Sequence, residues 1–506
     1  MKAQGSAVIT LTWAAACALG ASVLLGPLVG EYGSFHYFHL ALGVAFVVAW
    51  LRDPRRLSAP LSARAWTALL VMSLLWLEAA SLSTFAAFNV SGIDFSIFDW
   101  AVASGARGHF GQSPIYDVNF LGVHSAFVLA LLVPLHALAP SPWWLVVGGP
   151  VVLWAGLFPL RRLVRGAAGE HGGVLLAASL AYVASPMLGR LTTAGFRIES
   201  LLPLGTLWFL WGWMARRRPV WVAAAALLFF TKEDSTLFLG SFAAAGALFE
   251  RPRRAEAALL FLACVTWFGL YTQLLQPLLA GTRPAYLSIW SEFGSTPGEI
   301  VGGMASHPLT VLTRLATSGA WATFAPLLFL PWLSWRAAAG LLPTTLLLGT
   351  ASYETMHGFH TYYPTPLLAF ALFGVLEVMR ERTSGAWSAL SLLSLVLFPL
   401  IGFGYARVMA FEPERLREVA SVRERIASAP RVCGQVVLYP HLGYPAQLDP
   451  LMELSCADAP GTWVVVSEAY DPHPLPAEAL KEAILLWRAR RPLIEEGPFL
   501  IFGPER

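Results

Sequence analysis

Apolar stretches with the length of membrane helices recur from residue 7 to about residue 406, separated by short polar or Gly- and Pro-marked breaks. A bilayer core about 30 Å thick asks for roughly 20 apolar residues per helix. By that measure the predicted helices are 7–29, 36–51, 64–88, 142–160, 173–187, 200–215, 219–231, 236–249, 256–276, 310–333, 337–350, 360–379 and 386–406. One further apolar run, 122–139, is interrupted by Pro134 and His136. From Arg407 onward charges return and the apolar runs shorten. A helix from Pro413 to Ala429, strands at QVVLY and TWVVVS, and a second helix near Ala477 to Arg490 are predicted there, making a small α/β module.

Short cytoplasmic loops carry the excess of Lys and Arg. The basic clusters are Arg52/Arg55/Arg56/Arg64, Arg161/Arg162/Arg165, Arg216/Arg217/Arg218, Arg251/Arg253/Arg254, Arg336, and Arg380/Arg382. If 122–139 crossed the membrane, the cluster at 161 would fall opposite the one at 52; if it only dips in, all six fall inside. The dipping form puts 17 basic residues, Lys2 included, in the cytoplasm against 7 outside or at span ends. The run is therefore read as a juxtamembrane or re-entrant helix, which a membrane protein tolerates where it packs against protein. The expectation is an all-α polytopic membrane protein with about 13 transmembrane helices (11 to 13), the N-terminus in the cytoplasm and a small extracytoplasmic α/β domain. It divides into two N-terminal helices (1–63), a membrane core (64–406) with an outer loop at 89–121, and the soluble domain (407–506). Segments 219–231 and 236–249 reach only about 20 Å at about 1.5 Å per residue, so their tip, Thr231-Lys232-Glu233-Asp234, is placed below the outer surface.

Composition supports a bilayer as solvent: 56% of residues are hydrophobic, 13% are charged and the mean hydropathy is +0.60, more apolar surface than a soluble core could hide. The net charge of +3 is sorted by membrane side and not gathered into a patch, which argues against nucleic acid as a partner. The run Ala7 to Val29 is longer than the apolar region of a signal peptide and reads as a span. Cys17 and Cys264 lie in apolar spans. Cys433 and Cys456 lie in the terminal domain, where an oxidising compartment would permit a disulfide.

The outward loops hold Asp94, Asp99, Asp117, His124, Arg190, Arg197, Glu199, Lys232, Glu233, Asp234, Glu292, Glu299, Glu354, His357 and His360. Ionisable groups near mid-bilayer cost roughly 2.5 to 3.5 kcal/mol each, so they line a wet cavity or pair with one another. In the loop from Asn89, five helical steps separate Asp94 from Asp99 by about 140°, so the two do not form a dyad on one face. Asp94 is a candidate general base for an acceptor hydroxyl, or an N-cap of the helix that follows. Asp99 is a candidate for binding sugar or metal. Arg197 is open to pairing with Glu199, to snorkelling, or to a substrate role. Lys232 in the TKED tip is available to a phosphate. His357, His360 and Tyr362 in HGFHTYYP are open to a substrate role or to an ordinary aromatic belt. No P-loop, GxSxG or dinucleotide fingerprint occurs, and no internal repeat of an inverted-repeat transporter.

In order, IDFSIFDWAV, VNFLGVHSAFVLALLVPLHALAPSP, LFPLRRLVR, AYVASPML, FRIES, LLFFTKED and FHTYYPTPLLAF resemble a large family of bacterial membrane proteins known as domain of unknown function two-thousand-and-seventy-nine. The resemblance runs from about Phe85 to Gly404. That family is grouped with the GT-C glycosyltransferases, which use polyprenyl-phosphate-linked sugars outside the cytoplasmic membrane. The resemblance thus implies a GT-C-like core, a polyprenyl-phosphate sugar donor, Asp94 as the catalytic carboxylate with Asp99 close by, and His124 and Glu199 in the family's motif positions. Here Gly122-Val123 stands where the family has Gly-Asp, and FRIES replaces Phe-His-Pro-Glu, placing Arg197 where the family has His. Phosphate in such enzymes is handled by basic side chains (Arg190, Arg197 and Lys232 here) or by a divalent cation, Mg or Mn. A cation is the expectation here, with Asp94, Asp99 and Glu199 as its ligands.

The function expected is transfer of a sugar from a polyprenyl-phosphate donor to an extracytoplasmic lipid, glycan or protein, with Arg190, Arg197, Lys232, Glu233, Asp234, His124, His357, His360 and Tyr362 binding substrate. The rival readings are a transporter or lipid flippase, which needs a polar path to both faces, and a scaffold whose outer domain recruits partners.

Overall fold

A computed structural model describes residues 59–505 apart from 91, 116–117, 281–284, 360–361, 383–384, 402–412 and 446. The predicted spans 7–29 and 36–51 lie outside the described residues, as do the end of 386–406 and the domain boundary at 407. Among the described residues three helices are long and apolar enough to cross a bilayer: Ala63–Ala86, Trp143–Ala168 and Arg251–Ala280. A fourth is the pair Gly172–Val183 and Pro186–Thr193, bent by 43° where Pro186 interrupts the predicted 173–187 helix. Helix length therefore accounts for three or four crossings, where the sequence pattern predicts about 13. The rest of the core is built from shorter helices: Leu201–Met214, Arg218–Thr231, Ser235–Phe249, Trp335–Thr350 and Thr365–Glu381.

The predicted span 310–333 is not one helix. It is broken into Pro308–Thr317, Ala320–Phe324, Ala325–Leu327 and Leu330–Leu333. Pro326 and Pro331 remove backbone donors, and Leu328 and Phe329 turn the chain through the left-handed region at φ 52° and 53°. The 122–139 run forms short pieces, Phe120–Gly122, Phe127–Leu132 and Val133–Leu138, whose 12-residue apolar stretch Phe127–Leu138 is too short to cross by itself. On the Arg251–Ala280 helix the apolar residues Leu259, Leu262, Val265, Leu274 and Leu278 point outward, as a lipid-facing surface requires.

Inside the bundle, Phe209, Phe238, Phe242 and Phe370 stack into a dry aromatic core, with ring centroids 5.4 to 6.0 Å apart. On one side of that core the arginine clusters meet. Arg336 bonds Glu250 at 2.5 Å and Glu377 at 3.1 Å, Arg218 bonds Glu256 at 2.5 Å, and Arg253 sits 3.6 Å above the Trp213 ring. Arg162 lies over Trp208 and Trp211, and Arg161 over Trp66 near the start of Ala63–Ala86. The clusters at 161, 216, 251, 336 and 380, widely spaced in sequence, thus form a single layer. Lys232 lies at the far end of the Arg218–Thr231 helix, about 21 Å along its axis for its 14 residues.

The C-terminal domain is a five-stranded sheet of order β2-β1-β3-β5-β4: β1 Arg431–Gly434, β2 Leu448–Pro450, β3 Thr462–Val466, β4 Leu493–Glu495 and β5 Leu500–Phe502. β1 runs parallel to β2 and β3, and β5 antiparallel to β3 and β4. Helices Pro413–Ile426 and Ala477–Arg490 flank it. The strand predicted at TWVVVS is β3. The one predicted at QVVLY is displaced, because β1 ends at Gly434 and Gln435–Tyr439 turns away from the sheet, with the Gln435 side chain accepting from the Ser467 N–H. Cys433 of β1 and Cys456 are joined in a disulfide.

Candidate active site

Four segments distant in sequence converge at the end of the core away from the arginine layer. The first is the helix Gly92–Ala106, which begins after the Ala63–Ala86 span. Asp94 lies in its first turn, not at its N-cap, where a carboxylate also complements the helix dipole. Its carboxylate is paired with the guanidinium of Arg197. The Asp94 side chain keeps 38% of its surface open while that of Arg197 keeps 6%, so the acid is the exposed member of the pair and the base the buried one. Arg197 in turn lies 3.6 Å over the ring of Tyr362, a cation–π contact that holds the buried charge from the other side.

Glu199, two residues on, does not pair with Arg197. It accepts from Lys232 Nζ at 2.8 Å, and Lys232 also reaches Asp234 at 3.4 Å. The next residue, Glu233, turns to the 122–126 segment: one oxygen is 2.8 Å from His124 Nδ1, and the other accepts from the Ser125 N–H at 3.0 Å. Ser125 Oγ donates to the Phe229 carbonyl at 3.0 Å and so fastens this segment to the TKED hairpin. Arg190 donates to the carbonyl of Phe359 at 2.8 Å. The sequence places Asp94, Arg197, Glu199, Lys232, Glu233, Asp234, His124 and Tyr362 in one region, and the structure ties them into chains of ion pairs and contacts. Charges withdrawn from water persist in such chains because each compensates its neighbour. Three buried atoms of this group, Glu199 Oε2, Asp234 Oδ1 and Arg197 Nε, lack a hydrogen-bond partner within the protein.

Two expected members, Asp99 and His357, are not in this network, and a third lies outside the described residues. Asp99 is 3% exposed and accepts the hydroxyl of Tyr444 on both oxygens, at 2.8 and 2.9 Å, on the side of its helix that meets the C-terminal domain. Burial pushes its carboxyl up to about 7, against the lowering effect of the Tyr444 hydrogen bond. His357 is spent on the loop: its Nδ1 is 2.9 Å from the Gly349 carbonyl and its Nε2 is 3.4 Å from the Thr317 hydroxyl. His360 lies outside the described residues. The cation ligand set expected from Asp94, Asp99 and Glu199 is not assembled, since Asp94 meets Arg197, Asp99 meets Tyr444 and Glu199 meets Lys232. Among the described residues no group of three His, Cys, Asp or Glu side chains is placed to hold a metal. A Mg or Mn ion does not fit those three carboxylates. Ser125 and Tyr444 were not foreseen. Ser125 adjoins His124 and could have been read from that adjacency, whereas Tyr444 lies 345 residues from Asp99 with no local pattern to join them.

A family model described as "Predicted membrane protein (DUF2079)" matches residues 84–451. Among solved structures the chain is similar to ArnT from Cupriavidus metallidurans bound to undecaprenyl phosphate: 14% identity, a TM-score of 0.51, and coverage of 87% of this chain and 98% of that one. The likeness shows a shared fold. No curated protein matches the chain.

Proposed function

The chain belongs to the DUF2079 family of predicted membrane proteins, and from that premise we propose that it is a glycosyltransferase of the GT-C type, moving a sugar from a polyprenyl-phosphate donor to an extracytoplasmic lipid, glycan or protein. The observation that carries the proposal is Asp94, the more exposed member of an ion pair whose cation is buried, in a fold shared with ArnT, whose structure holds undecaprenyl phosphate. Asp94 takes the proton of the acceptor hydroxyl as that oxygen attacks the anomeric carbon. The bond from that carbon to the phosphate oxygen breaks with inversion, and its electron pair leaves with the polyprenyl phosphate. Arg197 fixes the Asp94 carboxylate, while Lys232 and Arg190 supply positive charge where negative charge develops on the phosphate.

The transporter reading draws no comparable support. The Arg336–Glu250–Glu377 and Lys232–Glu199 ion pairs are separate groups, with no described ion pair joining one to the other. The positive-inside rule assigns the arginine layer to the cytoplasm and the Asp94 cavity to the opposite face.

The test is to reconstitute the purified full chain with a radiolabelled polyprenyl-phosphate pentose or hexose and a membrane extract as acceptor. Release of polyprenyl phosphate with label appearing in the acceptor is expected; no release from any such donor would remove the transferase reading. Sidedness is checked separately. Alkaline phosphatase fused after Arg407 is expected to be active, and an inactive fusion would turn the cavity to the cytoplasm.

A further inference from the structure

The helix that carries Asp94 is held on its other face by the C-terminal domain. Five helical steps separate Asp94 from Asp99, about 140° around the helix, so one carboxylate meets Arg197 while the other meets Tyr444 of the C-terminal domain. The grip extends along the whole element. Just before the helix, Phe88 packs on His441 and Tyr470 with ring centroids 4.1 and 4.8 Å away. At its first residue the backbones touch: a Cβ on Gly92 would lie 2.2 Å from the Val436 carbonyl oxygen, so only glycine fits. Farther along, Trp100 meets the Tyr444 ring edge-on at 5.5 Å, and Arg107 beyond the last turn donates to the Tyr444 carbonyl at 3.1 Å. Tyr444 bonds the helix at two places, through its hydroxyl to Asp99 at mid-helix and through its carbonyl to Arg107 just past the last turn.

We propose that Tyr444 is a positioning residue for the transfer reaction: by clamping Asp99 it makes the C-terminal domain set the angle at which Asp94 is presented to the acceptor. This role rests on the transferase reading above. It gives the soluble domain, which shows no catalytic motif of its own, a part in the chemistry at a distance, and it explains why a buried carboxylate is kept on a helix face turned away from the cavity. Burying a carboxylate is costly unless its bonds are met, and here the phenol meets both oxygens.

The experiment compares wild type, Tyr444→Phe, Asp99→Asn and Asp99→Leu in the full chain, reading turnover, donor KM and amide hydrogen exchange over residues 92–106. Tyr444→Phe is expected to lower kcat about tenfold, since small misplacements of a catalytic group are costly, with donor KM changed by less than about twofold. Exchange over 92–106 should rise. Asp99→Asn, whose amide oxygen still accepts from the phenol, should retain most of the turnover, and Asp99→Leu should match Tyr444→Phe. Unchanged kcat in Tyr444→Phe, or equal loss in Asp99→Asn and Asp99→Leu, overturns the positioning role while leaving the transferase reading in place. A wild-type chain that releases no polyprenyl phosphate overturns both, whatever the exchange data show.

Discussion

Replacing Asp94 by Asn should lower turnover by about 10² to 10⁴-fold, the range that a positioned general base supplies. The substitution keeps the shape of the side chain and an oxygen for Arg197, but the amide cannot take up a proton. Because Asp94 stands at the open edge of its ion pair, water can reach Arg197 when the partner charge is gone. The variant is therefore expected to reach the membrane in normal amount with a melting temperature near that of wild type. The check is labelled-sugar transfer per folded molecule, with folded protein measured by size-exclusion profile and thermal melting. Undiminished transfer would take Asp94 out of the mechanism.

The second large effect is on stability. Lys232 is buried between Glu199 and Asp234, so Lys232→Met leaves the buried Glu199 carboxylate, and the part-exposed Asp234, without their cation. Removing one partner of a buried pair costs about 3 to 5 kcal/mol, much of it from the charge left behind. The variant should melt well below wild type in detergent. Adding Glu199→Gln, which deletes one of the stranded charges, should recover a substantial part of that loss. The double variant also separates two roles for the lysine. If it melts like wild type yet transfers no sugar, Lys232 meets the phosphate; if transfer returns with stability, the lysine serves the scaffold alone. A single variant that melts like wild type would mean that Lys232 does not compensate its neighbours.

The sequence carried the site better than the spans. Short polar insertions in apolar surroundings, FRIES and TKED, are legible because lipid tolerates no filler charges, and these two do meet through Glu199 and Lys232. The partner choices were not legible. Glu199 stands two residues from Arg197 and was open to pairing with it, yet each takes a partner from another segment, Arg197 the Asp94 carboxylate and Glu199 the Lys232 ammonium. Hydropathy also could not see that 310–333 breaks at Pro326 and Pro331, because a run of apolar residues reads alike whether helical or folded back on protein. The bond from Asp99 to Tyr444 depends on the docking of a separate domain, and its loss from the expected cation site follows from that docking.

The 14-residue helix leading to Lys232 is about 9 Å shorter than a typical hydrocarbon layer. A bilayer surrounding so shallow a hairpin must thin locally, or leave the hairpin's polar turn beneath the level of the lipid headgroups. On the transferase proposal, a donor with a long isoprenoid tail would in either case bring its head to the reaction without lifting the tail out of the acyl layer. The acceptor, arriving from water, has to reach downward to meet it. Such an arrangement favours slender, flexible acceptors and makes the rate sensitive to the chain length of the surrounding lipids.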